Sequence, residues 1–317
     1  MRGHLAPFQE AVDIGRRSGC PVHLTHYRQP AQGVGSHLDY IGLVEDARAE
    51  GMDVTFDCYS YPFSGTTLVI LLPQWARGGG PEALMERLRD PAARARMTRD
   101  IERGPAPGRG KRRAAHGRPW TGDLWAENWL TNFRRPENAR YDGLSVTDIA
   151  AMRDQAPTEA VFDLLLEENL GICTIALGTN AHTLAAFVAH PYGMIASDAI
   201  LFGDHPNPRS YGCFPIVLAE FVRAERHLRL PEAIRKITSF PAQRLGLPDR
   251  GILRDGFRAD IVCFDPETVK THATKAHPRE FPVGIEYVIV NGQIVIDRGA
   301  NTGALPGRAL RRGRART

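Results

Sequence analysis

The first sixty residues alternate between helical and extended patterns, and this alternation limits the possible folds more than any other feature of the chain. An apolar stripe predicts a helix over residues 4–19, and residues 20–26, CPVHLTH, predict a short strand. Ser36 can cap a second helix over residues 37–50, and residues 52–61 have the pattern of a second strand. Helix–strand–helix–strand order is typical of parallel strands joined by right-handed crossovers, so the sequence predicts an α/β fold.

The alternation is less regular beyond residue 61. Residues 62–80 and 103–119 predict loops, and we expect the second, which is rich in Pro, Gly and Arg, to be disordered. Residues 193–198 predict a third strand of the α/β part, and residues 171–178 are a further strand candidate. Helical patterns cover residues 81–101 with an interruption at Pro91, 145–154, 158–169, 180–190, 213–227 and 231–239.

The last part of the chain changes to a period of two. Residues 259–265 and 285–297 have the alternating pattern of strands. Asn291 and Gly292 lie between two β-rich halves of the second segment, and this dipeptide is the strongest short signal for a two-residue hairpin. The sequence therefore predicts a small β unit beside the α/β part.

Composition excludes several classes of protein. The 317 residues are 43% hydrophobic and 24% charged with a formal net charge of +4, which is typical of a soluble globular protein. No apolar run reaches the roughly 18 residues of a membrane span, so we expect no membrane partner. The five cysteines include no Cys-x-x-Cys pair and their number is odd, which favours a reducing compartment. We therefore predict a cytoplasmic protein.

A basic run invites comparison with nucleic-acid-binding proteins. Residues 103–118 are rich in arginine, but the nearest tryptophans, Trp120 and Trp125, lie beyond the run rather than within it. No nucleic-acid-binding module is recognisable in the sequence. We therefore expect a solvated insertion loop and no nucleic-acid partner.

Polar side chains occur where the three α/β strands end. His26 ends the first strand pattern and Arg28 lies two residues further on, Tyr59 lies near the end of the second, and Asp198 closes the third. With a period of two, Leu24, His26 and Arg28 share one face of the first strand. The alternatives without a function are that the strand-end aspartate caps a helix and that the single strand histidine has a structural role. Because the carboxyl ends of parallel strands meet at one edge of a sheet, the coincidence predicts a functional site there.

Five stretches of the chain resemble one family. They are GCPVHLTHYR, DVTFDCYSYPFSGTT, the region from MIASDAILF to HPNPRSYGCFP, RKITSFPAQRLGLPDRGILRDGFRADIVCFDPETV and GIEYVIVNGQIVIDRGANTGALPGRAL. Together they resemble the C-terminal portion of the N-acyl-D-amino-acid deacylases, or D-aminoacylases, of the amidohydrolase superfamily. The resemblance covers almost the whole chain except about residues 80–170.

The resemblance implies a particular α/β architecture. It is a partial TIM-like (β/α) barrel of about the last three strands, with an inserted subdomain and part of a small β-sandwich domain. The implied segments are 1–79 for barrel strands 6 and 7, 80–170 for the insertion, 171–248 for strand 8 and the helices that follow, 249–306 for the small β-domain and 307–317 for a basic tail.

The same resemblance assigns roles to the residues at the strand ends. His26 corresponds to a zinc ligand, so Zn²⁺ is the implied cofactor. Arg28, where the family usually has lysine, corresponds together with Tyr59 and Arg209 to the residues that bind the substrate carboxylate. Asp198 corresponds to the general base. The implied reaction is the hydrolysis of the linear amide of a small N-acyl-D-amino acid by zinc-activated water, which yields a carboxylate and a D-amino acid.

The sequence lacks most of the ligands that this chemistry requires. No His-x-His motif occurs in the 317 residues, and a catalytic zinc ordinarily has three protein ligands, of which only His26 is assigned. We therefore expect a fragment of a longer enzyme, or a short chain that needs a missing N-terminal half or a companion chain and is inactive alone. Two other functions stay open. One is a cyclic-amide amidohydrolase similar to dihydroorotase or hydantoinase, and the other is a non-catalytic remnant that binds carboxylates.

Overall fold

Helices and strands alternate through the part of the chain that the computed structural model describes, which is residues 5–31, 35–103, 123–201 and 203–310. The helices are α1 (Ala6–Ser18), α2 (His37–Ala49), α3 (Gln74–Arg77), α4 (Gly80–Arg89), α5 (Pro91–Arg103), α6 (Asp123–Glu127), α7 (Val146–Met152), α8 (Pro157–Glu167), α9 (Ala181–Ala189), α10 (Arg209–Ile216), α11 (Leu230–Ile237) and α12 (Ser239–Leu245). The strands are β1 (Val22–Leu24), β2 (Val54–Cys58), β3 (Phe63–Thr67), β4 (Trp129–Thr131), β5 (Cys173–Leu177), β6 (Gly193–Ile195), β7 (Ile261–Phe264), β8 (Ile285–Val290), β9 (Gln293–Asp297) and β10 (Ala300–Asn301).

The three strands predicted for the α/β part form one parallel sheet in the order β1-β2-β6. Leu24 is paired with Phe56 across β1 and β2, and Cys58 is paired with Ile195 across β2 and β6. The helices between these strands supply the crossovers that parallel pairing requires. The α/β class predicted from the sequence is therefore confirmed.

One face of this sheet is covered by helices. Val54, Phe56 and Cys58 alternate along β2 and are completely buried in a cluster with side chains of α1, α2 and α9, including Phe187. Burial of a side chain of this size stabilises the fold by about 1.5–3 kcal/mol relative to its exposed state. The capping box predicted at Ser36 is present, since its hydroxyl accepts the backbone N–H of Leu38 at 3.2 Å.

A second sheet departs from the prediction. Residues 62–80 were expected to form a loop, but they contain β3 and a 3₁₀ turn over Leu68–Leu71. β3 pairs with β5 in antiparallel register from Phe63–Leu177 to Thr67–Cys173, and β4 pairs with the other side of β5. Its sequence, FSGTT, contains turn-forming residues, and only the long-range pairing with β5 makes it a strand.

A helical layer lies beside this second sheet. Side chains of α4, α5, α7 and α8 share one buried cluster, in which Leu88, Ile149 and Phe162 are completely buried. The break predicted at Pro91 separates α4 from α5, and Ser145 caps α7 by accepting the N–H of Asp148. Most of the loop predicted to be disordered, residues 104–119, lies outside the described residues.

The predicted hairpin near the C-terminus is confirmed. β8 and β9 pair through Val290 and Gln293, and Asn291 and Gly292 both have positive φ angles, of 48° and 81°. Two positive φ angles at the central residues match the twist of the flanking strands. The sheet continues as β10-β9-β8-β7, and none of the residues in these four strands is fully buried.

Two general findings concern membranes and cysteines. Within the described ranges, no helix combines the length and the apolar character needed to cross a bilayer. All five cysteines are free, and Cys58 and Cys213 are buried.

Candidate active site

The turn after β1 holds the first two predicted site residues. β1 ends at Leu24, and His26 has a φ angle of +44°, so the chain leaves the extended conformation there. The backbone N–H of His26 donates to Oδ1 of Asp57 at 2.8 Å, and the N–H of Tyr27 donates to the carbonyl of Asp57 at 2.7 Å. The predicted shared face of Leu24, His26 and Arg28 is therefore wrong, because strand periodicity does not continue past Leu24. Leu24 is buried and His26 is exposed.

Two arginine side chains pack against the ring of Tyr59 at the end of β2. The Arg28 Cζ atom lies 4.3 Å from the centroid of the Tyr59 ring, and the Arg209 Cζ atom lies 4.1 Å from it. Both distances are within the range of a cation–π interaction. Tyr59 is 1% exposed, and its Oη has no hydrogen-bond partner in the described ranges of the chain. Two guanidinium groups therefore lie against the same ring, and the hydroxyl of that ring is without a hydrogen-bond partner among the described residues.

Arg28 makes two hydrogen bonds within the protein. Its Nε donates to Oγ1 of Thr179 at 2.5 Å, and its Nη1 donates to the carbonyl of His26. Burial lowers the pKa of Arg28, and the charge of Arg209 acts in the same direction. No carboxylate pairs with Arg28 within the part of the chain that the structure describes. Thr179 was not predicted, because only the tertiary fold brings the end of β5 to this turn.

Asp198 and Arg209 form the other side of the site. Asp198 follows β6 with a φ angle of +45°, and its carbonyl and its Oδ2 both accept from Nη2 of Arg209 at 2.7 Å. The Arg209 side chain is completely buried, whereas that of Asp198 is 41% exposed. Arg209 also donates from Nη1 to the carbonyl of Phe63 at 3.2 Å. The structure thus brings Arg28, Tyr59, Asp198 and Arg209 into one connected group.

His26 differs from the other four predicted residues. Its side chain is exposed, and its link to the group is made through its backbone carbonyl. The described ranges contain no group of three or more His, Cys, Asp or Glu side chains that could hold a metal ion. An imidazole is a suitable zinc ligand, but a catalytic zinc needs about three protein ligands. The described residues therefore do not fit a complete zinc site, although His26 is a chemically suitable single ligand.

A polar network on β1 and β2 was not predicted from the sequence. His23 Nε2 lies 2.8 Å from Oδ2 of Asp57, and His23 Nδ1 lies 2.8 Å from Oγ1 of Thr55. His23 and Thr55 are paired in register, and Asp57 lies two residues further on the same face. The signal was present in the sequence as polar side chains at alternate positions of an otherwise apolar strand. Cys58, on the opposite face, is not a nucleophile, because burial raises the pKa of its thiol to about 12.

Comparison with known proteins identifies the group to which this arrangement belongs. A model of the amidohydrolase family matches residues 125–296, which is more than half of the chain. The chain belongs to the amidohydrolase family. That match includes Asp198 and Arg209, and it continues through β7 and β8 into β9.

Curated relatives of this amidohydrolase have related names. A D-aminoacylase from Alcaligenes xylosoxydans xylosoxydans is 43% identical over 312 residues, which cover 97% of this chain and 52% of the relative. An N-acyl-D-aspartate deacylase from the same organism is 30% identical over 315 residues, covering 98% of this chain and 52% of the relative. The chain therefore spans about half the length of the curated relatives it matches.

A solved structure gives the same result for the fold. N-acyl-D-glutamate deacylase from Bordetella bronchiseptica, in complex with zinc and a phosphonate inhibitor that mimics the tetrahedral intermediate, superimposes with a TM-score of 0.68 at 26% identity. The superposition covers 92% of this chain and 50% of that enzyme. The predicted resemblance to the C-terminal portion of N-acyl-D-amino-acid deacylases is confirmed.

Proposed function

We propose that this chain carries the substrate-binding and proton-transfer part of a metal-dependent amidohydrolase. The substrate is an N-acyl-D-amino acid, whose linear amide is hydrolysed to a carboxylate and a D-amino acid. The observation that supports this most is the convergence of Arg28, Tyr59, Asp198 and Arg209 at one edge of the parallel sheet. The relatives named as N-acyl-D-amino-acid deacylases support the choice of substrate.

Charge and hydrogen-bond capacity favour a carboxylate ligand. Two guanidinium groups meet at Tyr59, and the carboxylate of Asp198 offsets one of them. The remaining positive charge lies on Arg28, which is partly buried, so an ionised ligand group would interact with it more strongly than in bulk water. Arginine binds carboxylates through parallel N–H donors, and the unpartnered Oη of Tyr59 adds a further hydrogen bond. These residues therefore fix the free carboxylate and with it the orientation of the scissile amide.

Asp198 is placed to move a proton. Its carboxylate is 41% exposed at the end of β6, so a water molecule and the amide can reach it. As a general base, it accepts a proton from the attacking water and returns it to the leaving nitrogen. A bound zinc ion would make hydroxide available near neutral pH. His26 would supply one ligand, and the other ligands would come from outside the described residues.

The proposal extends to the architecture and the location of the protein. We propose that the sheet β1-β2-β6 is part of a (β/α) barrel with the segment boundaries predicted from the sequence. The remaining, earlier strands of that barrel would come from a preceding part of the polypeptide or from a companion chain. The relatives, which are about twice as long, support this. We keep the prediction of a cytoplasmic enzyme.

A second function has one observation in its favour. The incomplete ligand set among the described residues is compatible with a chain that binds N-acyl amino acids without hydrolysing them. The cyclic-amide alternative has less support, because the curated relatives are named for the deacylation of N-acyl-D-amino acids.

Isothermal titration with N-acetyl-D-methionine and its L enantiomer tests the proposal. We expect the D enantiomer to bind more tightly and Arg28→Ala to raise Kd by about tenfold or more, because a buried charge contact is lost. Arg48→Ala is the matched control, since it removes a guanidinium that lies 4.2 Å from the ring of Tyr192 on another part of the fold. Release of D-methionine in the presence of Zn²⁺ supports the hydrolase, and binding without release supports the second function. Absence of binding by either enantiomer contradicts both.

A further inference from the structure

Asp57, near the end of β2, contacts the turn after β1 through its carboxylate and its backbone. Its Oδ1 accepts the backbone N–H of His26 at 2.8 Å, and its carbonyl accepts the N–H of Tyr27 at 2.7 Å. Its Oδ2 lies 2.8 Å from Nε2 of His23 on β1. We propose that Asp57 is a positioning residue that fixes this turn and, through it, the guanidinium of Arg28.

The conformation of His26 connects Asp57 to Arg28. The φ angle of His26 is +44°, which is uncommon for a residue with a side chain and persists only where its surroundings fix it. The N–H of His26 is held by Asp57, and its carbonyl accepts a hydrogen bond from Nη1 of Arg28. The dihedral angles of His26 set the relative direction of these two groups. Loss of the Asp57 carboxylate would therefore let His26 relax to a negative φ angle and turn its carbonyl away from Arg28.

The Asp57 carboxylate is itself held in place, as a positioning group requires. His23 lies between Asp57 and Thr55, and its Nδ1 is 2.8 Å from Oγ1 of Thr55. The Asp57 side chain is 13% exposed, and in such surroundings a hydrogen bond is stronger than in bulk water. Because His23 and His26 bind different oxygens of the carboxylate, the plane of this group is fixed.

Two further contacts keep the turn folded when the carboxylate is removed. Nε of Arg28 donates to Oγ1 of Thr179 at 2.5 Å, and this bond does not involve Asp57. Tyr27 is bonded to the backbone carbonyl of Asp57, which any residue at position 57 retains. A substitution at Asp57 is therefore expected to displace Arg28 without unfolding the turn.

Arg209 provides an internal reference for such a displacement. It packs against the same Tyr59 ring as Arg28, but the hydrogen bonds from its guanidinium go to Phe63 and Asp198 rather than to the turn. An effect that passes through the turn should reach Arg28 and not Arg209. The assignment rests on the proposed function, because Arg28 is given the role of binding the ligand carboxylate together with Tyr59 and Arg209.

The first experiment needs no ligand. The full chain is labelled with ¹⁵N-arginine, and the side-chain signals of Arg28 and Arg209 are assigned from Arg28→Lys and Arg209→Lys. Asp57→Ala is expected to shift the Arg28 signals and to leave those of Arg209 in place. Thr55→Val is the matched control, because it removes the other hydrogen-bond partner of His23 and keeps the carboxylate, and it should shift neither. Shifts in Asp57→Ala that are as large on Arg209 as on Arg28, or no shift on either, would overturn the proposal.

Isothermal titration with N-acetyl-D-methionine gives an independent measurement. Asp57→Ala is expected to raise Kd by about three- to tenfold, the factor that corresponds to one hydrogen bond. Asp57→Asn should restore the wild-type Kd, since the amide oxygen still accepts the N–H of His26 and the amide N–H can donate to Nε2 of neutral His23. Thr55→Val should leave Kd unchanged.

The outcomes separate the positioning role from the proposed function. A loss of affinity in Asp57→Asn or Thr55→Val as large as in Asp57→Ala contradicts the positioning role and indicates a general loss of structure. Failure of the wild type to bind contradicts the proposed function. The ligand-free signals of Arg28 then decide alone whether Asp57 fixes the turn.

Discussion

The parallel sheet β1-β2-β6 and the C-terminal sheet β10-β9-β8-β7 contain similarly apolar strands but are covered to different extents. Val54, Phe56 and Cys58 of β2 are completely buried, whereas Val262 of β7 is 53% exposed and Ile294 of β9 is 45% exposed. The connections explain the difference. Crossover helices return along the face of a parallel sheet and cover it, while a two-residue hairpin such as that at 291–292 brings no helix with it. An apolar strand pattern therefore locates a strand without fixing what packs on it.

The largest effect that tests this comparison is the loss of a buried ring. Phe56 is completely buried, and its ring packs against those of Tyr27 and Phe187, at centroid distances of 5.4 and 6.3 Å. We expect Phe56→Ala to lower the free energy of unfolding by about 3–5 kcal/mol, because burial is lost and a cavity remains. The matched substitution on the C-terminal sheet, Val262→Ala, should cost less than about 1 kcal/mol. Urea denaturation of both variants measures this, and similar losses would show that the C-terminal sheet is covered in solution.

The next effect depends on pH and concerns Lys236 behind β6. Its side chain is completely buried, and its Nζ donates to the backbone carbonyls of His190 and Gly193. Burial lowers the pKa of Lys236 to about 8. Between this value and the unfolded value of about 10.4, the unfolded chain binds more protons than the folded chain, so this group makes stability rise with pH.

The expected size of this rise is about 3 kcal/mol between pH 8 and pH 10.4. Cys58 acts in the opposite direction at high pH, since its raised thiol pKa means that the folded state keeps a proton that the unfolded state loses. The measurement is therefore the difference in unfolding free energy between wild type and Lys236→Met, followed from pH 7 to pH 10.4. The difference should shift in favour of the wild type as the pH rises. A constant difference would mean that Lys236 keeps its ordinary pKa in the folded state.

Local signals in the sequence predicted the elements whose shape depends on nearby residues. The cap at Ser36, the break at Pro91 and the hairpin at Asn291 and Gly292 are all confirmed, because each is determined within about four residues. β3 was missed for the opposite reason. Its residues carry turn propensity, and it becomes a strand through pairing with β5, which lies more than a hundred residues further along the chain.

The candidate site shows the same division between local and long-range information. Placing Arg28, Tyr59 and Asp198 at strand ends was enough to bring them to one edge of the sheet. The positive φ angles of His26 and Asp198 were not predictable, because they depend on partners elsewhere in the chain, Asp57 and Arg209. For this reason the prediction that Leu24, His26 and Arg28 share one strand face is wrong beyond Leu24. The hydrogen bonds from Arg209 to Asp198 were likewise not predicted and are known only from the structure.

The smallest effects compare two glycines, one in each sheet. A Cβ at Gly193 of β6 would come within 2.7 Å of the Phe56 ring and 2.9 Å of the Phe187 carbonyl, whereas a Cβ at Gly292 would have nothing within 4 Å. We expect Gly193→Ala to cost about 1–3 kcal/mol through overpacking. Gly292→Ala should cost about 1 kcal/mol, through the strain of its φ angle of +81° alone. Thermal unfolding of both variants measures the difference. Because the Gly193 clash involves the Phe56 ring, adding Phe56→Ala should remove the part of the cost of Gly193→Ala that the ring causes, while the contact with the Phe187 carbonyl remains and the cost of Gly292→Ala is unchanged. Additive losses at Gly193 and Phe56 would show instead that the Phe187 carbonyl, and not the ring, limits the space behind β6.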